Sequence, residues 1–337
     1  MVVRVAVIGC GSWGINHVRS ARRLKGAELA AVCDASEASL NRALEVAPGV
    51  KSLKNPDEVF RDPSIDAVII ATPAVTHAPL ARAAVEANKH ALVEKPFVLQ
   101  ALDGQPIVDE AERRGRVLMV GHVLRYHPYF RLLTDMVARG ELGDIHYAYA
   151  QRVNLGTVRS DENAFWSLAV HDLSMMCAIL QGEPTEIAVT GKSFLRPGIE
   201  DVVFATVQFS NGTLGHIHVS WLDPQKRRAM TVVGSKKMAV FDDMEPNEKL
   251  RIYDKGVQER APSASFDQFL NVRDGDVHIP YVKMNEPVLL EQQHFVDCIR
   301  DGKTPETDGR EAMRVMKCLA AATESLKDRG RPVAIAR

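Results

Sequence analysis

The first third of the chain alternates short, continuous apolar runs with stretches of helical periodicity. Runs such as Val5-Ala6-Val7-Ile8 and Ala67-Val68-Ile69-Ile70-Ala71 show no polar alternation, as expected of strands covered by helices on both faces. They predict strands at 3–8, 28–33, 66–71, 89–93 and 117–121, with helices near 12–25, 36–47, 75–88 and 100–114. In the first helix Ile15, Val18 and Leu24 fall inside, and Arg19, Arg22 and Arg23 outside. The order of elements defines an α/β fold with a doubly wound parallel sheet.

After His122 the pattern changes. A helix near 127–139 ends at Gly140 and Gly143. Alternating strands then dominate, at 145–153, 185–194, 201–209, 213–221, 228–233 and 237–241, and a helix over 169–181 interrupts them and stops at Gly182. Two more helices are expected at 286–301 and 308–329. Asp308 with Glu311 forms a capping-box signature for the last, and Gly330 with Pro332 ends it. Residues 254–285 are polar, rich in Asp and Gly and without periodicity, and read as an extended loop over a site or an interface. The division drawn from these patterns is a dinucleotide-binding domain over 1–121 and an α+β domain with a mostly antiparallel sheet over 122–337.

Composition narrows the classes. With 337 residues the chain is long enough for two domains. A charged fraction of 25% and a net charge of −1 give no electrostatic reason to expect nucleic acid or an anionic membrane as partner. No apolar run approaches the roughly 18–20 residues of a membrane span, and the N-terminus enters a strand with no secretory or transit signal. Cys10, Cys33, Cys177, Cys298 and Cys318 are scattered in apolar surroundings with no C-x-x-C, which reads as buried free thiols in a reducing cytoplasm.

The turn after the first strand carries the chemistry. Gly9-Cys10-Gly11-Ser12-Trp13-Gly14 is a G-x-G-x-x-G between strand and helix. Gly9 allows the tight turn, Gly11 lets the backbone approach a pyrophosphate, and Gly14 lets helix and strand pack closely. The helix N-terminus, from Ser12 and Trp13 onward, offers N–H groups and a partial positive charge to the phosphates. The second strand ends in Asp34, a carboxylate suited to the adenine ribose hydroxyls and repulsive to a 2′-phosphate, which favours NAD over NADP. The alternative for Asp34 is a helix cap, since Ser36 and Glu37 follow. Ligands of such sheets sit at the strands' carboxyl ends, which here also carry Thr72-Pro73, Glu94-Lys95-Pro96 and Gly121-His122. His77, just past Thr72-Pro73, is placed to help close the cofactor pocket.

A nicotinamide oxidoreductase needs an acid or base for the substrate oxygen. Lys95 is the first candidate, on a turn fixed by Pro96. His171 is the second: in the first turn of a helix the dipole disfavours imidazolium, which suits a general base. Asp172 either caps that helix or orients a substrate hydroxyl. His216 and His218 share a strand face with no third ligand at metal spacing, so no metal site is expected. Arg152, Arg159, Lys226, Arg227 and Arg228 suit an anionic substrate, and Asn154 and Asn163 suit sugar hydroxyls or an acetamido group.

These residues resemble the glucose–fructose oxidoreductase and inositol dehydrogenase (Gfo/Idh/MocA) family over nearly the whole chain. The resemblance rests on Val7 to Gly14, Ala71-Thr72-Pro73, Glu94-Lys95-Pro96 and the stretch around Thr307-Asp308-Gly309. It implies an N-terminal Rossmann domain, a C-terminal open-faced sheet domain that is often an oligomer interface, a homo-oligomer such as a dimer or tetramer, and Lys95 as the catalytic lysine. A narrower resemblance runs through Asn154-Leu155-Gly156, Asn163 to Ser167, His171-Asp172, Val219 to Leu222 and Gly275 to Pro280. These segments look like the branch of nucleotide-sugar 3-dehydrogenases that oxidise UDP-N-acetylglucosaminuronic acid with NAD, in which His171 is the second catalytic residue. Polyol dehydrogenases of the family carry an aspartate four residues before their histidine, where this chain has Ser167.

The resemblance therefore implies oxidation of a sugar C3 hydroxyl to a 3-keto sugar, with Lys95 on the alkoxide, His171 on the proton and Arg159 foremost among the anion-binding arginines. Some members of the branch recycle NADH with 2-oxoglutarate. The alternatives are reduction of a keto-sugar nucleotide, oxidation of a free sugar or polyol, and a non-catalytic NAD(H)-binding regulator. Retention of both Lys95 and His171 argues against the last.

Overall fold

The structure is a computed structural model that describes residues 2–156, 158–160, 162–259 and 270–336. Contacts divide the chain into two compact units, Met1–His127 with Asn285–Met316, and Pro128–Met284 with Lys317–Arg337. This differs from the division at residue 121. The first of the two closing helices, and the first half of the last one, belong with the dinucleotide-binding unit.

The first unit begins β1 (Val3–Ile8), α1 (Gly14–Ala21), β2 (Ala27–Cys33), α2 (Glu37–Val46), β3 (Lys51–Leu53), α3 (Pro56–Arg61) and β4 (Ala67–Ile70). It continues with α4 (His77–Glu86), β5 (His90–Glu94), α5 (Ala101–Arg113) and β6 (Leu118–Gly121). The strands pair in parallel in the order β3-β2-β1-β4-β5-β6, so the order reverses between β1 and β4. All four residues of β4 and of β6 are buried, which is why these strands read as unbroken apolar runs.

Two elements of the first unit were not expected from the pattern. β3 has three residues and buries only Leu53, too little to register as a run. α3 is set by its start: Pro56 occupies the first turn and the Asn55 side chain accepts the Asp57 N–H at 2.9 Å.

The second unit comprises α6 (Pro128–Ala138), β7 (Ile145–Val153), α7 (Val170–Leu180), β8 (Pro184–Lys192), β9 (Val202–Phe209), β10 (Leu214–Ser220), β11 (Arg227–Gly234), β12 (Met238–Asp242), β13 (Leu250–Glu259) and β14 (Leu270–His278). Next come α8 (Pro287–Asp301), which counts with the first unit, then α9 (Gly309–Lys327), which the division crosses, and β15 (Val333–Ala334). The nine-stranded sheet runs β14-β13-β12-β11-β7-β10-β9-β8-β15, antiparallel except for the β7–β10 pair. On β10 Gly215, Ile217 and Val219 turn inward, while His216 and His218 lie on the opposite, open face with Tyr147, Tyr149 and Phe204. The open-faced, mostly antiparallel sheet is as expected.

The stretch 254–285 departs from its reading as an irregular loop. β13 and β14 pair in it as a hairpin, while its residues 260–269 lie outside the described residues. β14 ends the sheet, so polar side chains suffice on both of its faces and periodicity is lost. A Cβ at Gly275 would come within 2.7 Å of the Asp254 carbonyl oxygen, which accounts for a glycine inside a strand.

Candidate active site

The glycine turn has the geometry the motif requires. Gly9 has φ +93°, and a Cβ on Gly14 would lie 1.9 Å from the Gly9 carbonyl oxygen. A Cβ on Gly11 would meet nothing within 4 Å, so the backbone there faces open space. Ser12 and Trp13 are exposed, and no side chain caps α1 and no acid sits in its first turn among the described residues. This open, uncapped helix start suits the pyrophosphate of a dinucleotide. Asp34 accepts the Cys10 N–H at 2.7 Å on one oxygen and the Ser36 N–H at 2.8 Å on the other. Ser36, not Asp34, caps α2. Each Asp34 oxygen keeps a second acceptor position for a ribose hydroxyl. Burial and the nearby Asp34 charge push the Cys10 thiol up to about 12, so it is inert packing.

Lys95 follows the carboxyl end of β5, half-buried, with its backbone N–H donated to Glu94 Oε2 at 3.1 Å. His77 is buried and ties two loops together: Nδ1 meets the Pro96 carbonyl at 2.7 Å and Nε2 the Thr72 carbonyl at 2.9 Å. Thr72 is half-buried, held by the Thr76 hydroxyl at 2.7 Å, and Pro73 is exposed beside it. His77 therefore holds the turn after β4 against the turn after β5.

Glu94 and Trp13, read as cofactor contacts, are engaged with one another. The Trp13 indole donates to Glu94 Oε1 at 2.6 Å, and His17 Nε2 meets the same oxygen at 2.8 Å. Burial pushes the Glu94 carboxyl up, but His17, the Trp13 indole and the Lys95 charge outweigh it and hold the group below its ordinary range. His122 is fully buried, and burial with the Arg125 charge pushes it down to about 3. His17 escaped the sequence reading. Its only signal was its place on the buried side of α1, four residues after Trp13.

In the second unit α7 is entered through a π-helical turn at Phe165–Ala169. Asn163 Oδ1 accepts the Trp166 N–H at 3.1 Å, its amide donates to Glu200 at 2.8 Å, and the Trp166 indole donates to Thr323 at 2.9 Å. His171 is half-buried in the first turn of α7. Asp172 is turned inward, where Arg152 from β7 grips it with two parallel bonds of 3.0 and 2.9 Å. Only 6% of Arg152 and 2% of Asp172 are exposed. Arg159 is half-exposed beside Glu162 at 3.0 Å, and the Asn154 N–H bonds the Ser220 carbonyl at 3.1 Å. Lys226 and Arg227 are exposed, and Arg228 faces Asp243 at 3.7 Å. On the open sheet face His218 stacks on Phe204 at 4.4 Å and His216 meets Thr206 at 3.4 Å.

A doubly wound sheet with this glycine turn, and a lysine at the carboxyl end of β5, defines a nicotinamide-dependent oxidoreductase. The chain belongs to the Gfo/Idh/MocA family: residues 3–122 match its oxidoreductase, NAD-binding Rossmann model and residues 130–240 its C-terminal domain model. It is 26% identical to the scyllo-inositol 2-dehydrogenase (NAD(+)) of Bacillus subtilis, over 98% of this chain and 96% of that one. It is 27% identical to the UDP-N-acetylglucosamine 3-dehydrogenase of Acidithiobacillus ferrooxidans, over 96% of each. In fold it matches an oxidoreductase from Agrobacterium radiobacter solved with NAD+, L-tartaric acid and magnesium, with TM-score 0.83 over 99% of each chain at 21% identity. The cofactor is NAD and the reaction is a dehydrogenation at a CH–OH group. Inositol and nucleotide-sugar relatives stand at nearly equal identity, so the family places the chemistry and leaves the sugar open. No helix among the described residues is long and apolar enough to cross a membrane.

Proposed function

We propose that this chain oxidises the C3 hydroxyl of a nucleotide sugar to a ketone, with UDP-N-acetylglucosaminuronic acid as the leading substrate. The observation that carries the dehydrogenase reading is the position of Lys95, at the carboxyl end of β5 with its backbone pinned by Glu94. The sugar reading is supported by Ser167, which stands where polyol dehydrogenases carry an aspartate, and by the UDP-N-acetylglucosamine 3-dehydrogenase among the relatives.

NAD, when bound, supplies the hydride acceptor. The Lys95 ammonium hydrogen-bonds the reacting hydroxyl and stabilises the alkoxide as it forms. His171 accepts the hydroxyl proton on an imidazole nitrogen. Arg159 is the arginine assigned to the uronate or the pyrophosphate, because Arg152 is already committed to Asp172. Asn154 is assigned to the sugar, and Asn163 holds the start of α7 beneath it. The unit's open sheet face is the surface assigned to homo-oligomer assembly.

The test is mass spectrometry of a sugar-nucleotide panel incubated with pure protein and NAD, with and without 2-oxoglutarate. The expected result is loss of two hydrogens from UDP-N-acetylglucosaminuronate and not from UDP-N-acetylglucosamine. Turnover of the neutral sugar alone removes the carboxylate requirement. Turnover of scyllo- or myo-inositol, with no change in any nucleotide, overturns the nucleotide-sugar reading.

A further inference from the structure

Four side chains lie in the interior behind Lys95, and only one of them, Glu94, belongs to a motif. His17, Gln292 and Glu291 are all 0% exposed, and Glu94 is 7% exposed. They join a helix of the dinucleotide site to α8 across 275 residues of sequence. The Gln292 amide nitrogen lies 2.8 Å from His17 Nδ1 and donates to the His17 carbonyl at 3.3 Å. A carbonyl can only accept, so this second bond fixes which end of the amide is the nitrogen. Gln292 therefore donates to Nδ1, and the ring proton must sit on Nε2, facing Glu94 Oε1 at 2.8 Å. Glu94 in turn receives the Trp13 indole on Oε1 and the Lys95 N–H on Oε2.

We propose that Gln292, His17 and Glu94 form a positioning network for Lys95, in which Gln292 selects the His17 tautomer, His17 holds Glu94 as an acceptor, and Glu94 fixes the Lys95 backbone. The proposal rests on the reading of Lys95 as the catalytic lysine. Every group packed around Glu94 fits it. α1 presents Trp13 and His17, both as donors. β6 presents Gly121, where a Cβ would come within 3.1 Å of the Glu94 carboxyl, so the carboxylate fills the space a side chain would take. The turn after β6 brings His122, and behind it Arg125. α8 brings Glu291, neither of whose oxygens has a partner among the described residues. Burial and the Glu94 charge push Glu291 well above the carboxylate range, so the interior holds one negative charge and not two. That charge is the one that faces Lys95.

The test is read on the protein without substrate. Histidine 15N spectra of the wild type are expected to show His17 protonated at Nε2 with Nδ1 bare, and a proton on Nδ1 overturns the proposal outright. In Gln292→Met, and in Gln292→Glu should the first fold poorly, His17 is expected to lose this single form. The Lys95 amide is then expected to exchange with solvent faster by on the order of tenfold, the worth of one hydrogen bond. Exchange at Val5, Val7 and Leu92 is expected to stay unchanged, which separates loss of the network from general loosening. Wild-type exchange at Lys95 in these variants overturns the network. Lys95→Met serves the other reading: full turnover there removes the lysine from catalysis, while an unaltered His17 spectrum leaves the network standing as structure.

Discussion

Lys95 and His171 are asked to do different things, and single replacements separate them. Lys95→Ala and His171→Ala are each expected to lower kcat by about 10²–10⁴, the usual worth of a positioned acid or base. NADH binding, followed by quenching of protein fluorescence, is expected to stay within a few-fold. Loss of NADH binding in His171→Ala would place the residue in the cofactor site and not on the substrate proton. Asp34 tests the cofactor preference. Its carboxylate holds the Cys10 and Ser36 amides and leaves acceptor positions outward. A 2′-phosphate there meets a like charge, which costs a few kcal/mol. Asp34→Ser is thus expected to raise kcat/KM for NADP relative to NAD by about tenfold or more, and an unchanged ratio would show that another group reads the ribose. Lys95 and Asp34 were legible as candidates because each sits in a short motif at a strand's end, and His171 because it falls in the first turn of a helix. His17 and Gln292 were not, because they meet across 275 residues of sequence and no local pattern marks them.

At the scale of elements, the β7–α7 clamp replaces what the sequence offered as two substrate ligands. An arginine at a strand end and an aspartate in a helix's first turn look equally like a surface pair and like an anion site in one dimension. Only the packing of α7 on β7 shows that they close on each other, away from water. Arg152→Met leaves a buried aspartate without its cation and is expected to destabilise the protein by about 3–5 kcal/mol. Replacing both, Arg152→Met with Asp172→Leu, is expected to recover most of that loss, since an apolar pair needs no compensating charge. Urea unfolding checks this. A large rise in KM with unchanged stability in the single variant would return Arg152 to the substrate. The strands of the first unit were easier to read, because burial on both faces leaves unbroken apolar runs such as Ala67–Ile70. The β13–β14 hairpin hid for the opposite reason: at the end of a sheet its residues are free to be polar.

For the whole molecule, the buried carboxyl pair links folding to pH with a sign that can be worked out. Glu291 has its carboxyl pushed well above the ordinary value of 4.5 by burial and by Glu94. Between that ordinary value and the folded one, the native state holds a proton that the unfolded chain has released. Stability must then fall as pH rises through that window, by at most about 1.4 kcal/mol per pH unit for one proton. Glu94 acts in the reverse sense: its carboxyl is held low, so its contribution is present above the ordinary value and is lost as pH falls toward the folded one. Glu291→Gln keeps the shape and the neutral state, removes the first effect and leaves the second. The variant and the wild type are therefore expected to be of similar stability below about pH 4, where both side chains are neutral in either state. The variant should then gain steadily on the wild type as the pH rises, and level off once native Glu291 has ionised. Urea unfolding at a series of pH values from acid to mildly alkaline gives the difference directly. Parallel curves would mean that Glu291 ionises in the native state as it does in the unfolded chain, and the single-charge interior behind Lys95 would have to be abandoned.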